Sequence, residues 1–156
     1  MTQAMTTPPP FRFRHRVRYG ECDPQQVVFN ARYGDFIDIG ITEYLRHLMG
    51  GIQGLNALGL DMMVVKQTKE WKGPARFDDV LEQSIRTGRV GTTSFTILTD
   101  FTLWPDGGPV MVAETVYVMT AFGVAEKRAI PGDLTSRLLA GVPGRIVDHA
   151  GTDGDI

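Results

Sequence analysis

The chain has 156 residues, a length typical of one domain with a single packed core. Its formal net charge is −2 and its basic residues are scattered, which excludes the electrostatic footprint of a nucleic-acid binder or a membrane-surface binder. The single cysteine excludes an intrachain disulfide framework, and no cysteine or histidine cluster has the spacing of a metal site. We therefore expect a cytoplasmic protein that acts on a small molecule and holds no metal.

Prolines and glycines mark both ends of the predicted domain. Residues 1–10 end in three consecutive prolines, which disfavour a helix, and they have neither the charged flank nor the apolar core of a signal peptide. Residues 141–156 are rich in glycine and lack apolar periodicity. No apolar run approaches the roughly 18 residues of a membrane span. We predict one domain over residues 11–140, between two flexible tails.

A strand and a long helix are predicted first along the chain. Apolar or aromatic residues alternate with basic ones over Phe11–Tyr19, the pattern of a strand with one exposed face. Over Phe29–Leu48 the apolar residues follow the three-four spacing of an amphipathic helix. Gly40 lies beside this apolar stripe and lowers helix propensity by about 1 kcal/mol relative to alanine, so we expect other backbone to approach the helix there.

Four β-rich runs follow without another long helical pattern between them. Short connections at Gly88–Thr92 and at the turn signal Trp104–Pro109 favour an antiparallel meander. The last run is apolar on both alternating faces, as in a central strand. The predicted strands are Met62–Trp71, Val80–Arg89, Thr93–Leu103 and Val110–Ala121.

The predicted order is β-α-β-β-β-β, an α+β fold with a five-stranded antiparallel sheet packed on one long helix. One helix covers one face of such a sheet. The other face then needs either the segment Gly132–Leu139 or a second copy of the chain. We therefore expect a homodimer.

A carboxylate lies just before the predicted helix. Pro24 restricts Asp23 to extended conformations and stiffens the turn that leads to the helix. The helix start, around Phe29–Ala31, offers unpaired backbone N–H groups and about half a positive charge. An oxyanion formed at an attacked carbonyl would be stabilised there, so Asp23 and the backbone N–H of Asn30 form a minimal hydrolytic pair.

Other interpretations of these residues stay open. An Asp before Pro near a helix start is often a turn former or a cap. Cys22 has no patterned histidine partner, which favours a packing role over a nucleophilic one. Glu43 belongs either to the exposed face of the helix or to a contact with a partner subunit. The three histidines, which form no recognisable triad, are His15, His47 and His149.

The segment VRYGECDPQQVVFNARYGDFIDIGITEYLRHLMG resembles the signature region of the 4-hydroxybenzoyl-CoA thioesterase family, small hotdog-fold acyl-CoA thioesterases. Further motifs agree in order, because WKGPARFDDVLE, GRVGTTSF and EKRAIP resemble later stretches of the family. The resemblance covers residues 12–140. Where family members commonly carry small residues, often glycine, this chain has Gln25 and Gln26, so we expect a bulkier loop and an altered acyl preference.

The resemblance implies a hotdog fold in which the sheet wraps around the long helix and an acyl thioester lies in a cleft between two protomers. It makes Asp23 the catalytic carboxylate, either as nucleophile or as general base, and it makes Asn30 the residue whose backbone N–H polarises the thioester carbonyl. It implies a homodimer and leaves a homotetramer open. No cofactor is expected, since coenzyme A is part of the substrate.

The predicted function is hydrolysis of a small or medium acyl-CoA or aroyl-CoA thioester. Basic residues at the cleft rim would bind the coenzyme A phosphates. Lys127 and Arg128 are the first candidates and Arg89 the next, against the alternative that each is an ordinary surface charge. Two other functions stay open: a non-catalytic module that binds acyl thioesters, and a hotdog dehydratase or hydratase, which would need a histidine that the turn PQQVVFN lacks.

Overall fold

A computed structural model of the protein describes residues 7–152. Three α-helices lie in this range: α1 (Arg32–Met49), α2 (Gly51–Ala57) and α3 (Gly132–Ala140). The strands are β1 (Phe11–Arg16), β2 (Leu60–Trp71), β3 (Val80–Val90), β4 (Ser94–Trp104), β5 (Pro109–Ala121) and β6 (Ile146–Asp148). Within the described residues no helix is both long and apolar enough to span a membrane.

The strands form one sheet in the order β2-β5-β4-β3-β1-β6. The predicted antiparallel meander of the last three long strands is confirmed, and so is the central place of β5, which pairs with β2 on one side and β4 on the other. Strand β1 and the long helix are also confirmed, although β1 ends at Arg16 and not at Tyr19, and α1 begins three residues later than predicted, at Arg32. Arg14, on the face of β1 that was predicted to be exposed, is buried. Local periodicity was sufficient for α1 because it buries one regular face.

The sheet has a sixth strand that the sequence analysis did not predict. β6 pairs in parallel with β1, so that Arg12 lies opposite Ile146 and Arg14 opposite Asp148. It lies inside residues 141–156, the segment predicted as a tail, and three residues are too few to show a periodic pattern. Of the predicted N-terminal tail, residues 1–6 lie outside the described range, and the carbonyl of Pro9 accepts a hydrogen bond of 2.8 Å from the N–H of Gly144.

Helix α1 packs its apolar face on the concave side of the sheet and forms the centre of the core. Its first turn places Tyr33 against the rings of Trp71 in β2 and Phe101 in β4, at 5.8 and 5.7 Å between centroids. The buried residues of α1 are Tyr33, Phe36, Ile37, Gly40, Ile41, Tyr44, Leu45, Leu48 and Met49.

The close approach predicted at Gly40 is present, but a side chain makes it and not backbone. A Cβ at Gly40 would overlap the amide of Gln83, which is fully buried beneath the helix. Nε2 of Gln83 donates a hydrogen bond of 2.8 Å to the carbonyl of Phe36 in α1. The glycine therefore makes room for a buried amide that ties the helix to β3.

Candidate active site

Asp23 lies in a closed turn between a short 3-10 turn, Tyr19–Glu21, and helix α1. Its backbone N–H donates to the carbonyl of Val27 at 2.9 Å, and its own carbonyl accepts the N–H of Gln26 at 2.8 Å. A backbone bridge between Cys22 and Val28 closes the turn one residue further out. These bonds hold the carboxylate in a defined position relative to the helix.

The two oxygens of the Asp23 carboxylate differ in their surroundings. Oδ1 accepts a hydrogen bond of 2.8 Å from the backbone N–H of Gln25. Oδ2 has no hydrogen-bond partner among residues 7–152, and the side chain is only half-buried. Asp23 therefore acts as a turn former through one oxygen, and its other oxygen is free to meet a ligand.

Gln26, at the tip of the turn, has a φ of 64°. This left-handed conformation costs an ordinary residue about 1–2 kcal/mol and costs glycine almost nothing. The preference for glycine in the resembling family at this place thus has a physical reason. In this chain the turn adopts this left-handed conformation with a glutamine.

Glu21 fastens the turn to the rest of the site, and sequence reasoning missed it. Its side chain is buried, and its carboxylate accepts the backbone N–H of Arg18 at 2.7 Å and pairs with the Arg18 guanidinium at 3.0 Å. Its backbone carbonyl accepts the N–H of Phe29 at 2.9 Å, just before the helix. The spacing of acid and arginine three residues apart was the available signal, although nothing local distinguishes it from an exposed pair.

The start of α1 offers two backbone donors. Ala31 is the N-cap residue and no side chain caps the helix. The N–H groups of Asn30 and Ala31 have no acceptor among residues 7–152, and both residues are exposed. Together with the helix dipole, these N–H groups favour a negatively charged or strongly polar oxygen at this point.

Asp23 and Asn30 line one groove of about 480 Å³, so the structure brings together the two residues that were predicted as a pair. Tyr33 and Trp71 form its aromatic wall, with Gly73 and Pro74 at the edge. Burial raises the pKa of Tyr33 to about 12, so its hydroxyl is neutral at physiological pH. Sequence reasoning assigned Tyr33 only to the buried face of the helix, and it missed Trp71 because that residue comes from β2, far from Asp23 in the chain.

Asp23 also borders a second cavity of about 350 Å³ on the other side of the turn. Tyr19 and Phe77 line it with their rings in an edge contact, 5.9 Å between centroids. Both side chains are largely exposed, at 82% and 56%. The carboxylate therefore stands between an aromatic surface and the groove at the helix start.

The three predicted phosphate-binding residues lie at the other end of the sheet. Asp23 is beside the connection from β2 to β3, whereas Arg89 is near the end of β3. Lys127 and Arg128 follow β5, and Arg128 pairs with Glu126 at 3.1 Å. Since the 11 residues of β3 span roughly 36 Å at about 3.3 Å per residue, one protomer does not bring these cations to Asp23.

His15 and His149 line one cavity of about 300 Å³ and both pack against Phe13, whereas His47 lies in helix α1. Burial lowers the pKa of His15 to about 4, and its ring packs on Phe36 at 4.4 Å. Nδ1 of His47 is 2.9 Å from the carbonyl of Glu43, while Glu43 pairs with Arg46 of the same helix at 3.3 Å.

The chain matches the model of a known protein family. The model of the thioesterase superfamily matches residues 25–106, a range that includes Asn30 and Trp71 and begins just after Asp23. The acyl-CoA thioester hydrolase YbgC of Escherichia coli O157:H7 is 40% identical over 84 residues, 53% of this chain and 63% of that protein. The match thus spans less than two thirds of the length of this curated relative.

Solved structures share the fold over most of the chain. A hypothetical protein from Aquifex aeolicus has a TM-score of 0.75 and 25% identity, covering 83% of this chain and 99% of its own. A 1,4-dihydroxy-2-naphthoyl-CoA thioesterase from Synechocystis has a TM-score of 0.74 at 16% identity, covering 82% and 94%. These are hotdog folds, as the resemblance implied. Since the family model spans more than half of the residues, the chain belongs to the thioesterase superfamily.

Proposed function

We propose that the protein is an acyl-CoA thioesterase that hydrolyses small or medium acyl-CoA or aroyl-CoA thioesters. One observation carries this proposal: a carboxylate with a free oxygen and two unpaired N–H groups of a helix start line the same groove. Hydrolysis of a thioester uses both features. The carboxylate attacks the acyl carbon or activates water, and the N–H groups stabilise the negative charge that this attack builds on the carbonyl oxygen. The names of the relatives support the same reaction class.

In the proposed reaction the thioester oxygen accepts a hydrogen bond from the N–H of Asn30. Oδ2 of Asp23 then either attacks the acyl carbon or removes a proton from a water molecule that attacks it. The first route forms a mixed anhydride and expels the coenzyme A thiolate, and water then cleaves the anhydride. Both routes end with a carboxylic acid and coenzyme A, and neither uses a metal or another cofactor.

The proposed function includes a homodimer formed along β2. This strand is at one edge of the sheet, and its apolar side chains are exposed: Met63 at 48%, Val64 at 51% and Val65 at 59%. An exposed apolar edge is a template for pairing with another strand. Antiparallel pairing of two copies of β2 would place the start of one strand beside the end of the other. Opposite ends of the two sheets would then lie next to each other.

This arrangement gives the predicted phosphate-binding residues a place in the site. Lys127 and Arg128 lie near the start of β2, and the groove of Asp23 lies at its end. In the antiparallel dimer, the cations of one protomer would stand over the groove of the other. Arg89, Lys127 and Arg128 of the partner subunit would then meet the coenzyme A phosphates.

A hydrolysis screen tests the proposed function. Acetyl-, hexanoyl-, octanoyl- and benzoyl-CoA are incubated with the protein, and the released thiol is detected with a thiol-reactive dye. We expect release of coenzyme A well above the rate without protein for at least one thioester. Calorimetric binding of these thioesters without release would assign the protein to the non-catalytic alternative, and neither binding nor release would overturn the proposal.

A further inference from the structure

The groove of Asp23 contains one polar side-chain group that the proposed reaction does not use, the hydroxyl of Tyr33. Only 2% of the Tyr33 side chain is exposed, yet its hydroxyl still reaches solvent. The hydroxyl makes no hydrogen bond with any of residues 7–152. Buried tyrosines usually give their hydroxyl a partner. Since Tyr33 lines the groove, a molecule bound there can supply that partner.

Tyr33 and the proposed oxyanion donor belong to the same end of helix α1. Side chains of an α-helix lean back toward its start, and Tyr33 is in the first turn, three residues after Asn30. Cys22, directly before Asp23, is close enough to act electrostatically on the hydroxyl: after burial, it is the second cause that raises the pKa of Tyr33 to about 12. A thioester between Asp23 and Asn30 would thus lie beside this hydroxyl.

Three aromatic rings hold Tyr33 in place. Its ring makes edge contacts with Phe36, Trp71 and Phe101, at 5.7, 5.8 and 5.7 Å between centroids. A donor that is fixed in this way does not have to reorganise when charge develops on a bound oxygen, which is what makes an oxyanion donor effective. Because its pKa is about 12, the hydroxyl also keeps its proton from neutral to moderately alkaline pH.

We propose that the Tyr33 hydroxyl is a further catalytic group, which donates a hydrogen bond to the thioester oxygen beside the backbone N–H of Asn30. This inference rests on the proposed function, because it takes the thioester oxygen to lie at Asn30. The negative charge that attack builds on this oxygen is then shared between a side-chain donor and a backbone donor. No proton leaves Tyr33 in this step, and the bonds that form and break are those of the proposed reaction.

Tyr33→Phe tests the inference because it keeps the ring and removes only the hydroxyl. For the thioester that is hydrolysed fastest, we expect kcat to fall about 10- to 100-fold with little change in KM, since the hydrogen bond strengthens as charge develops. Tyr44→Phe is the matched control. Tyr44 is buried in the same helix, but its hydroxyl is bonded to Oγ1 of Thr87 at 2.8 Å, so this variant should keep its kcat.

The stabilities of the two variants should differ in the opposite sense. Tyr33→Phe breaks no hydrogen bond among residues 7–152, so the midpoint of thermal unfolding should not fall. Tyr44→Phe removes the partner of Thr87 and should lower the midpoint. A midpoint that falls in Tyr33→Phe together with its activity would assign the hydroxyl a structural role and overturn the inference.

The low-pH limb of the kcat/KM profile distinguishes the thioester oxygen from the Asp23 carboxylate as the acceptor. If the hydroxyl acted on the carboxylate, its removal would make the carboxylate easier to protonate, and the limb would move to higher pH. We expect the limb of Tyr33→Phe to stay where it is in the unaltered protein. A limb at higher pH would make Tyr33 a positioning residue for Asp23 and overturn the inference.

Binding is measured by calorimetry with two coenzyme A analogues that have no thioester to hydrolyse. S-(2-oxoheptyl)-CoA carries a ketone oxygen, and S-heptyl-CoA has the same chain without it. Tyr33→Phe should weaken binding of the ketone about threefold or more and leave binding of the thioether unchanged. This result supports the inference even if no thioester is hydrolysed.

Two results separate the inference from the proposed function. Hydrolysis at the same rate in Tyr33→Phe and in the unaltered protein overturns the inference and leaves the proposed function standing. Equal effects of Tyr33→Phe on both analogues also overturn the inference, because the contact would then not be with the oxygen. If neither analogue binds and no thioester is hydrolysed, both the inference and the proposed function are wrong.

Discussion

The backbone N–H of Gln25 donates a hydrogen bond of 2.8 Å to Oδ1 of Asp23, so the carboxylate is anchored by the turn it belongs to. An asparagine at this place offers the same oxygen to the same N–H. The substitution Asp23→Asn therefore keeps the hydrogen bond that anchors the turn and removes the negative charge that is proposed to act on the thioester.

We expect Asp23→Asn to keep the fold and to lower thioester hydrolysis by about 10²–10⁴-fold, the usual contribution of a general base. The rate is measured by thiol release, and the fold is checked by circular dichroism and thermal unfolding. Turnover close to that of the unaltered protein would remove Asp23 from the reaction.

Glu21→Ala should lower both stability and activity. The substitution leaves the Arg18 N–H, now bonded at 2.7 Å, without its protein acceptor, so the free energy of unfolding should decrease. The turn that carries Asp23 loosens with it. Arg18→Met is the control, because that side chain is exposed and the N–H bond survives. Equal effects of both substitutions in urea unfolding would show that the guanidinium, and not the N–H bond, fastens the turn.

Gln26→Gly should stabilise the protein by about 1 kcal/mol, since it relieves a left-handed conformation at φ 64°. Gln25→Gly provides the comparison. Its φ is not positive, so the added chain freedom should lower stability slightly. The midpoint of thermal unfolding is measured for both variants. A lower midpoint for Gln26→Gly would mean that the glutamine side chain stabilises the fold by more than the left-handed backbone costs.

Stability should fall with pH because of His15. Its pKa is 6.5 in the unfolded chain and about 4 in the folded protein, where burial disfavours the charged ring. Between these values the unfolded state binds more protons, so the free energy of unfolding decreases as the pH falls from 6.5 towards 4, by roughly 3 kcal/mol in all. Above pH 6.5 this residue contributes no pH dependence.

His15→Phe should remove most of that slope. The ring nitrogens of His15 are buried without hydrogen-bond partners, so phenylalanine loses no bond there and keeps the packing on Phe36. Urea unfolding at pH 5 and pH 7.5 measures the difference. A slope that persists in His15→Phe would have to come from other groups. His47→Gln, in helix α1, is the control, because His47 is not among the groups that act on His15.

Val65→Asp should convert a dimer into a monomer. Val65 is 59% exposed on the edge strand β2, and a charge there opposes pairing with another strand. Multi-angle light scattering at micromolar concentration measures the mass. Ile146→Asp places the same charge on the opposite edge of the sheet and should leave the dimer intact. A monomer in the unaltered protein would contradict the proposed assembly.

Much of the fold and the central pair of the site could be predicted because their signals are local. Helix α1 and the strands β3 and β4 each bury one face, and this burial imposes a period of about 3.6 or of two on their side chains. Strand β5 was recognisable by apolar residues on both of its faces. Asp23 and Asn30 lie within one short segment, so they are close together whatever the rest of the fold is, although Trp71, Gly73 and Pro74 complete the groove that they line. The resembling family often has glycine where this chain has Gln26, and the positive φ of Gln26 explains why glycine suits that position.

The rest was decided by contacts between residues far apart in sequence, for which no local pattern exists. Trp71 meets Tyr33 only because β2 runs beside the start of α1. The same topology puts Arg89, Lys127 and Arg128 at the end of the sheet away from Asp23. β6 pairs in parallel with β1 at the edge of the sheet, and its three residues are too few to show the period of a strand. The sequence by itself determined the long elements and the proximity of Asp23 and Asn30, whereas the tertiary structure decided which side chains surround these two residues, because packing depends on the whole sheet.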